Sequence, residues 1–270
     1  MARTDTLPHF LTDVADAIRE KTGSQASIQA SSFDTEISNI SGGGTDLSEY
    51  FNSEIIYNST GSSTNDARAQ LLIRYPDVIT IASNVTSLNA LFLNTYELKD
   101  FPKLVGGDNV TDMTYLYRKD NGITVTRPID LSGLVTTNAT KMEGMFYQIK
   151  GATTIDFSNS NFNTEKVTTM ESMFAWSEYT TLDLSSFAST ALTKTTSMFE
   201  GCTSLQFLDL RNFDFTNITT TTRMFGQATN NYKVPANCKI IVADQTQKNW
   251  VTTNFSWLTN VKTVAEYEAE

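Results

Sequence analysis

An eight-residue pattern, apolar at its first, fourth, seventh and eighth places, recurs six times between Val85 and Phe225. Val85, Leu88, Leu91 and Phe92 form the first copy, and Val110, Met113, Leu116 and Tyr117 the second. Ala139, Met142, Met145 and Phe146 follow, then Val167, Met170, Met173 and Phe174. Leu192, Thr195, Met198 and Phe199, and finally Ile218, Thr221, Met224 and Phe225, complete the series. The closing aromatic positions are separated by 25, 29, 28, 25 and 26 residues. A unit of that size cannot bury its own apolar face, so successive units must stack and share one core.

A second signal keeps step with the first. Ile129-Asp130-Leu131, Ile155-Asp156-Phe157, Leu182-Asp183-Leu184 and Leu208-Asp209-Leu210 alternate apolar, acidic, apolar. Such alternation describes a strand with one buried face. Four residues past the Asp comes another apolar group, Leu134, Phe187 or Phe213, with Phe162 displaced by two residues. Each unit therefore reads as strand, turn, apolar anchor, then a helical or 3₁₀ segment, because three-residue stepping suits a tight helix. The expected fold is an α/β solenoid: a leucine-rich-repeat-like stack of about six units with a parallel sheet.

Departures from the pattern mark the ends. The early strands are irregular, Val78 to Ile81 and then Leu98 to Leu104 around Pro102, as terminal repeats tend to be. Arg118-Lys-Asp-Asn-Gly122 inserts a polar turn that should bulge from the surface. Repeats are assigned to residues 75–231. In residues 232–270, Lys239 to Val242 reads as a last strand and Asp244 to Trp250 as a short helix capped by Asp244. Phe255, Trp257, Leu258 and Val261 then close the stack, which makes this segment a C-terminal cap.

Residues 1–41 follow a different period. Leu7, Leu11, Val14 and Ile18 recur at helical steps, and Phe33, Ile37 and Ile40 form a stripe on a second short helix. A helical hairpin of about forty residues is near the floor for an independent core. Either it packs on its own chain, or other subunits complete its apolar stripe. Gly42-Gly-Gly44 then forms a hinge, since three glycines hold neither helix nor strand cheaply. Residues 42–74 read as this linker plus an N-terminal cap.

Composition narrows the function. Thirty acidic and twenty basic residues give a net charge of −10, which disfavours nucleic acid and anionic membrane surfaces. No apolar run approaches the roughly 18 residues of a membrane span. One histidine, His9, and two cysteines, Cys202 and Cys238, leave little for nucleophile or metal chemistry. His9 beside Pro8 suits a helix start, and Cys202 reads as a core thiol. Whether Cys202 and Cys238 pair stays open, because bridging demands specific geometry. No cofactor is expected.

The aspartates Asp130, Asp156, Asp183 and Asp209 are the candidate binding residues of the strand face. On adjacent strands they would lie roughly 4.8 Å apart and repel one another unless satisfied. Three readings stay open: local satisfaction by Ser132, Ser158, Ser185 and Arg211, an acidic strip facing a ligand or receptor, or bound Ca²⁺. A ladder of acids without a cleft is poorly suited to glycoside hydrolysis, which needs a tuned carboxyl pair.

The run from Gly144 to Gly226 resembles the BspA-like leucine-rich repeat family. Asp183-Leu-Ser-Ser-Phe187, Val167-Thr-Thr-Met-Glu-Ser-Met-Phe174 and Met198-Phe-Glu-Gly-Cys-Thr-Ser-Leu205 carry the resemblance, which spans roughly residues 75–265. It implies non-catalytic binding of proteins or glycans, on bacterial surfaces or in bacteriophage tails. Val14-Ala-Asp-Ala-Ile-Arg-Glu-Lys-Thr-Gly23, with Ile28 and Phe33 to Ile40, looks like the N-terminal segment of phage tail and baseplate proteins. The start of the chain lacks the basic-then-apolar order of a signal peptide.

Together these features lead to the expectation of a non-enzymatic virion protein of a tail, baseplate or fibre, assembled in the host cytoplasm. Residues 1–41 would dock onto other virion proteins through Leu7, Leu11, Val14, Ile18, Phe33, Ile37 and Ile40, an arrangement that permits a homo-trimer. The repeats would face a host surface protein or glycan. The alternative is an adhesin on a bacterial cell surface.

Overall fold

The computed structural model describes residues 78–81, 83, 85–93, 100–118 and 124–270. The chain divides into two units, Met1–Ser53 and Glu54–Glu270, and every described residue belongs to the second. The expected hairpin of residues 1–41, with its stripe Leu7, Leu11, Val14, Ile18, Phe33, Ile37 and Ile40, lies outside the described residues. So do His9, the linker and cap of residues 42–74, and residues 119–122 of the polar turn.

The described residues form a mostly parallel α/β arrangement with two sheets and few helices. Strands β1 (Val78–Ile81) and β2 (Lys103–Gly106) pair in parallel. Strands β3 (Thr181–Asp183), β4 (Phe207–Leu210), β5 (Lys239–Val242) and β6 (Val261–Thr263) form a four-stranded parallel sheet in chain order. A single 3₁₀ turn (Phe215–Asn217) and two helices, α1 (Gln245–Asn254) and α2 (Val264–Glu268), complete the named elements. The Asp244 carboxylate accepts from the Gln247 amide and starts α1, as its position in the sequence suggests. Strand β6 and helix α2 were not expected. Thr263 and Glu266 close a reciprocal capping box that starts α2.

The six apolar copies lie side by side. Isolated parallel bridges run Ser87 to Asp112, Asp112 to Lys141, Lys141 to Thr169, Thr169 to Lys194 and Lys194 to Thr220, always at the third place of the pattern. Inside, the aromatic position of each copy stacks on the next. Phe92, Tyr117, Phe146, Phe174, Phe199 and Phe225 have successive centroids 5.5 to 5.7 Å apart and planes within 20°. Offset stacking of this kind adds to the area that each ring buries. Met113, Met142, Met145, Met170, Met173, Met198 and Met224, all fully buried, line the same core.

The segment expected to be helical or 3₁₀ is neither. The Met173 amide donates to the Met170 carbonyl, but the Met170, Ser172, Phe174 and Trp176 amides all donate to the next copy, at Lys194, Thr196, Met198 and Glu200. A helix would direct every donor inward along its own axis. Here alternate donors are directed sideways, as in a parallel ladder. The three-residue step comes instead from a tight turn, with one residue of positive φ at the sixth place of every copy: Ala90, Tyr115, Gly144, Ser172, Ser197 and Arg223. A positive φ at only the second of two central residues is the type II pattern.

The expected six-unit sheet is also corrected. Leu182-Asp183 and Leu208-Asp209 lie in β3 and β4, whereas Ile129 to Leu131 and Ile155 to Phe157 are not in strands. Pro128 precedes the first of these triplets and has no N–H to give a ladder. The second is followed by the longer excursion to Phe162. Strand β2 likewise begins at Lys103, after Pro102.

The last strands are covered on both faces. Ile241 of β5 and Asp209 of β4 point away from the core, yet Ile241 is fully buried and Asp209 is 2% exposed. Helix α2 and the residues after it lie over them. The Tyr267 ring packs 5.9 Å from Phe207, and the Lys239 amine reaches Glu270 at 2.7 Å. Lys262 also pairs with Glu270, and Lys248 with Glu266.

Candidate recognition surface

The four aspartates are satisfied locally, each by the residue two positions on. The Ser132, Ser158, Ser185 and Arg211 amides donate to Asp130, Asp156, Asp183 and Asp209 at 2.8 to 3.0 Å. The Ser132 hydroxyl adds a 2.6 Å bond. Hydrogen bonds to a charged carboxylate favour its ionised form. Asp130 is held below the ordinary value, first by the Ser132 hydroxyl, and Asp156 first by the Ser158 amide.

These residues do not make one strip. Only Asp183 and Asp209 face each other across paired strands. Asp130 lies 3.7 Å from the Lys103 amine, and Asp156 is exposed beside its serine. The Arg211 guanidinium donates from Nε and Nη2 to Asp209, with a closest approach of 2.6 Å. Asp209, buried beneath that guanidinium and helix α2, is closed to any ligand. This corrects its assignment as a binding residue.

The opposite edge, made by the turns, carries side chains that sequence reasoning passed over. The Tyr115 ring lies across Gly144 of the following copy, so close that a Cβ there would come within 2.1 Å of the ring. Tyr147 meets Tyr115 edge-on at 6.3 Å. The Arg118 guanidinium sits 4.8 Å from the Tyr115 centroid and 5.0 Å from that of Tyr147. Two copies further on, the Trp176 ring lies across Gly201, where a Cβ would meet it at 2.7 Å, and Tyr232 packs 4.9 Å from it. Tyr232 is 54% exposed, more than any other large hydrophobic side chain among the described residues. Arg223 pairs with Glu200 at 3.6 Å on the same edge. The available sequence signal was an aromatic residue just outside the buried places of the pattern, facing a glycine one copy later.

Beside this edge runs a row of threonines at the second place of each copy. The hydroxyls of Thr111, Thr140, Thr168, Thr193 and Thr219 donate to the carbonyls of Thr86, Thr111, Thr140, Thr168 and Thr193, at 3.1 to 3.3 Å. The row ties neighbouring copies together at the rim.

Cys202 and Cys238 are both free and buried. Burial pushes both thiols up to about 12, so neither is a thiolate near neutral pH. The Cys202 thiol donates to the Phe174 carbonyl at 3.0 Å. Among the described residues no three His, Cys, Asp or Glu side chains gather where they could hold a metal ion. No helix among them is long and apolar enough to cross a membrane.

Comparison with curated proteins and with solved structures gives no match. A family model described as "Mycoplasma protein of unknown function, DUF285" matches residues 80–153 and 111–237. Those spans contain all six apolar copies. The match is consistent with a BspA-like surface repeat protein. With more than half of its length matched, the chain belongs to the DUF285 family.

Proposed function

We propose that this chain is a recognition protein without catalysis of its own, a bacteriophage tail, baseplate or fibre component. In this reading the six copies are coils of a leucine-rich-repeat-type solenoid. Residues 1–41 fasten it to other virion proteins, and the repeats meet a host surface protein or glycan. The ladder of inter-copy hydrogen bonds and the stack of six rings support the solenoid. The observation that carries the binding role is the turn edge. It sets Tyr115, Tyr147, Trp176 and Tyr232, with Arg118, on a framework whose own amides are already bonded. Rigid aromatic and arginine side chains on a fixed scaffold lose little entropy on binding. The virion setting rests on the likeness of Val14 to Ile40 to tail and baseplate proteins.

Deleting residues 1–41 tests this directly. The deleted protein should be absent from assembled particles yet still bind whole host cells. Normal incorporation into particles, or release of reducing ends from host polysaccharide by the intact chain, would overturn the reading. A second reading, a bacterial cell-surface adhesin, is favoured by the bacterial genus in the family's description. Antibody labelling of intact cells in the absence of phage particles would select it.

A further inference from the structure

We propose that the turn edge binds a neutral oligosaccharide, with Trp176 and Tyr232 as one stacking platform and Tyr115 and Tyr147 as a second. The proposal rests on the recognition reading above and deepens it by naming the ligand class.

Four observations carry it. First, the rings are placed by the backbone. Trp176 rests on Gly201 and Tyr115 on Gly144, each in the space that a side chain of the following copy would fill. Both glycines have positive φ, +80 and +54, so the same residues serve the turn and the ring. The backbone contact fixes each ring at little entropic cost, and Tyr232, packed 4.9 Å from Trp176, is the exposed ring of its platform.

Second, the platforms are suitably spaced. Gly144 belongs to the third copy and Gly201 lies two residues past the end of the fifth, so the platforms are two copies apart, about 10 Å along the stacking direction. A short chain of linked pyranoses bridges that distance and can lay one sugar on each ring.

Third, exposed apolar surface is sparse among the described residues, which suits a sugar. Val78, Val105 and Tyr232 are the only exposed large hydrophobic side chains among the described residues. A stable protein interface buries about 800 Å² on each partner around an apolar centre. A sugar needs only an isolated ring for its C–H face, with polar groups around it for its hydroxyls. The Ser172 and Ser197 side chains and the Glu200–Arg223 pair lie on the copies between and beside the two platforms.

Fourth, charge selects among glycans. A chain of net charge −10 repels polyanions at a distance. Arg223 is paired with Glu200, and Arg118 is a single cation against that overall negative charge. The edge therefore favours a neutral polymer over a uronic or sialic one.

The test uses the full chain and fluorescence titration or calorimetry. The probes are gluco-, manno- and galacto-hexasaccharides, the matching disaccharides, and polygalacturonate. At least one neutral hexasaccharide should bind saturably and at least tenfold more tightly than its disaccharide. Trp176→Ala and Tyr232→Ala should each weaken it tenfold or more, Trp176→Phe much less, and Val105→Ala not at all. Thermal melting of each variant controls for folding. Tyr232 is exposed enough that its truncation leaves the core intact even if Trp176→Ala does not. Preference for polygalacturonate, indifference to both alanine variants, or silence across the neutral panel would overturn the proposal. Protease-sensitive binding to whole cells with no binding to any sugar would defeat this inference while leaving the recognition reading standing.

Discussion

Tyr117 occupies a place that phenylalanine fills in the other five copies, and its hydroxyl is fully buried without a hydrogen-bond partner among the described residues. Tyr179 is in the same position, and burial pushes both phenols well above their ordinary range. A buried polar group left unsatisfied costs about 1–3 kcal/mol. Tyr117→Phe and Tyr179→Phe should therefore raise the urea midpoint, each by the equivalent of about 1 kcal/mol. A lowered midpoint would mean that the hydroxyls are bonded. The exposed aspartates act on stability through pH. Asp130, Asp156 and Asp214 have folded values held below the unfolded value of about 3.9, so they bind protons more readily once unfolded. The stability they contribute is present above about pH 4 and is lost as pH falls through their lowered folded values. Melting temperature should hold from pH 7 to 5 and fall below 4, with a shallower fall in Asp156→Asn. Chemistry at this scale was only partly visible in the sequence. The Asp-x-Ser spacing named the partners of Asp130, Asp156 and Asp183 correctly, because an Asx-type bond is local. The burial of Asp209 was hidden, because it depends on a helix that begins more than fifty residues later.

At the scale of the single element, the turn in each copy is the part the sequence conceals. Its left-handed position is filled by Ala90, Tyr115, Gly144, Ser172, Ser197 and Arg223, which share no chemistry. Only the glycine hints at the backbone required. The buried places, by contrast, must all be apolar or small, and so they announce themselves. A left-handed conformation costs an L-residue about 1–2 kcal/mol, and β-branching makes it worse. Ser172→Val should destabilise by about 2 kcal/mol or more, while Ser172→Gly should be neutral to slightly stabilising. Equal effects from the two substitutions, read from chemical unfolding, would show that the turn adopts another conformation. Strand ends were equally hard to read. The Asp130 and Asp183 triplets look alike, and only Pro128 beside the first betrays the difference. Strand β6 has three residues, too few for alternation to be seen.

For the described unit as a whole, the inner column of rings makes the interior continuous. Phe174 stacks on Phe146 at 5.5 Å and on Phe199 at 5.7 Å. Phe174→Ala should cost about 3–5 kcal/mol, and a loss below about 1 kcal/mol in calorimetry would show that the column does not act as a shared core. The threonine row has a larger consequence. Every hydroxyl in it points to the carbonyl of the residue in the same place one copy back, so the contact is indifferent to which two copies meet. Removing residues 168–192, which would join Val167 directly to Thr193, should therefore yield a shorter protein that still melts cooperatively. A cut of half that length should not. Such a molecule changes size only in whole increments, and can gain or lose a copy without redesigning either end.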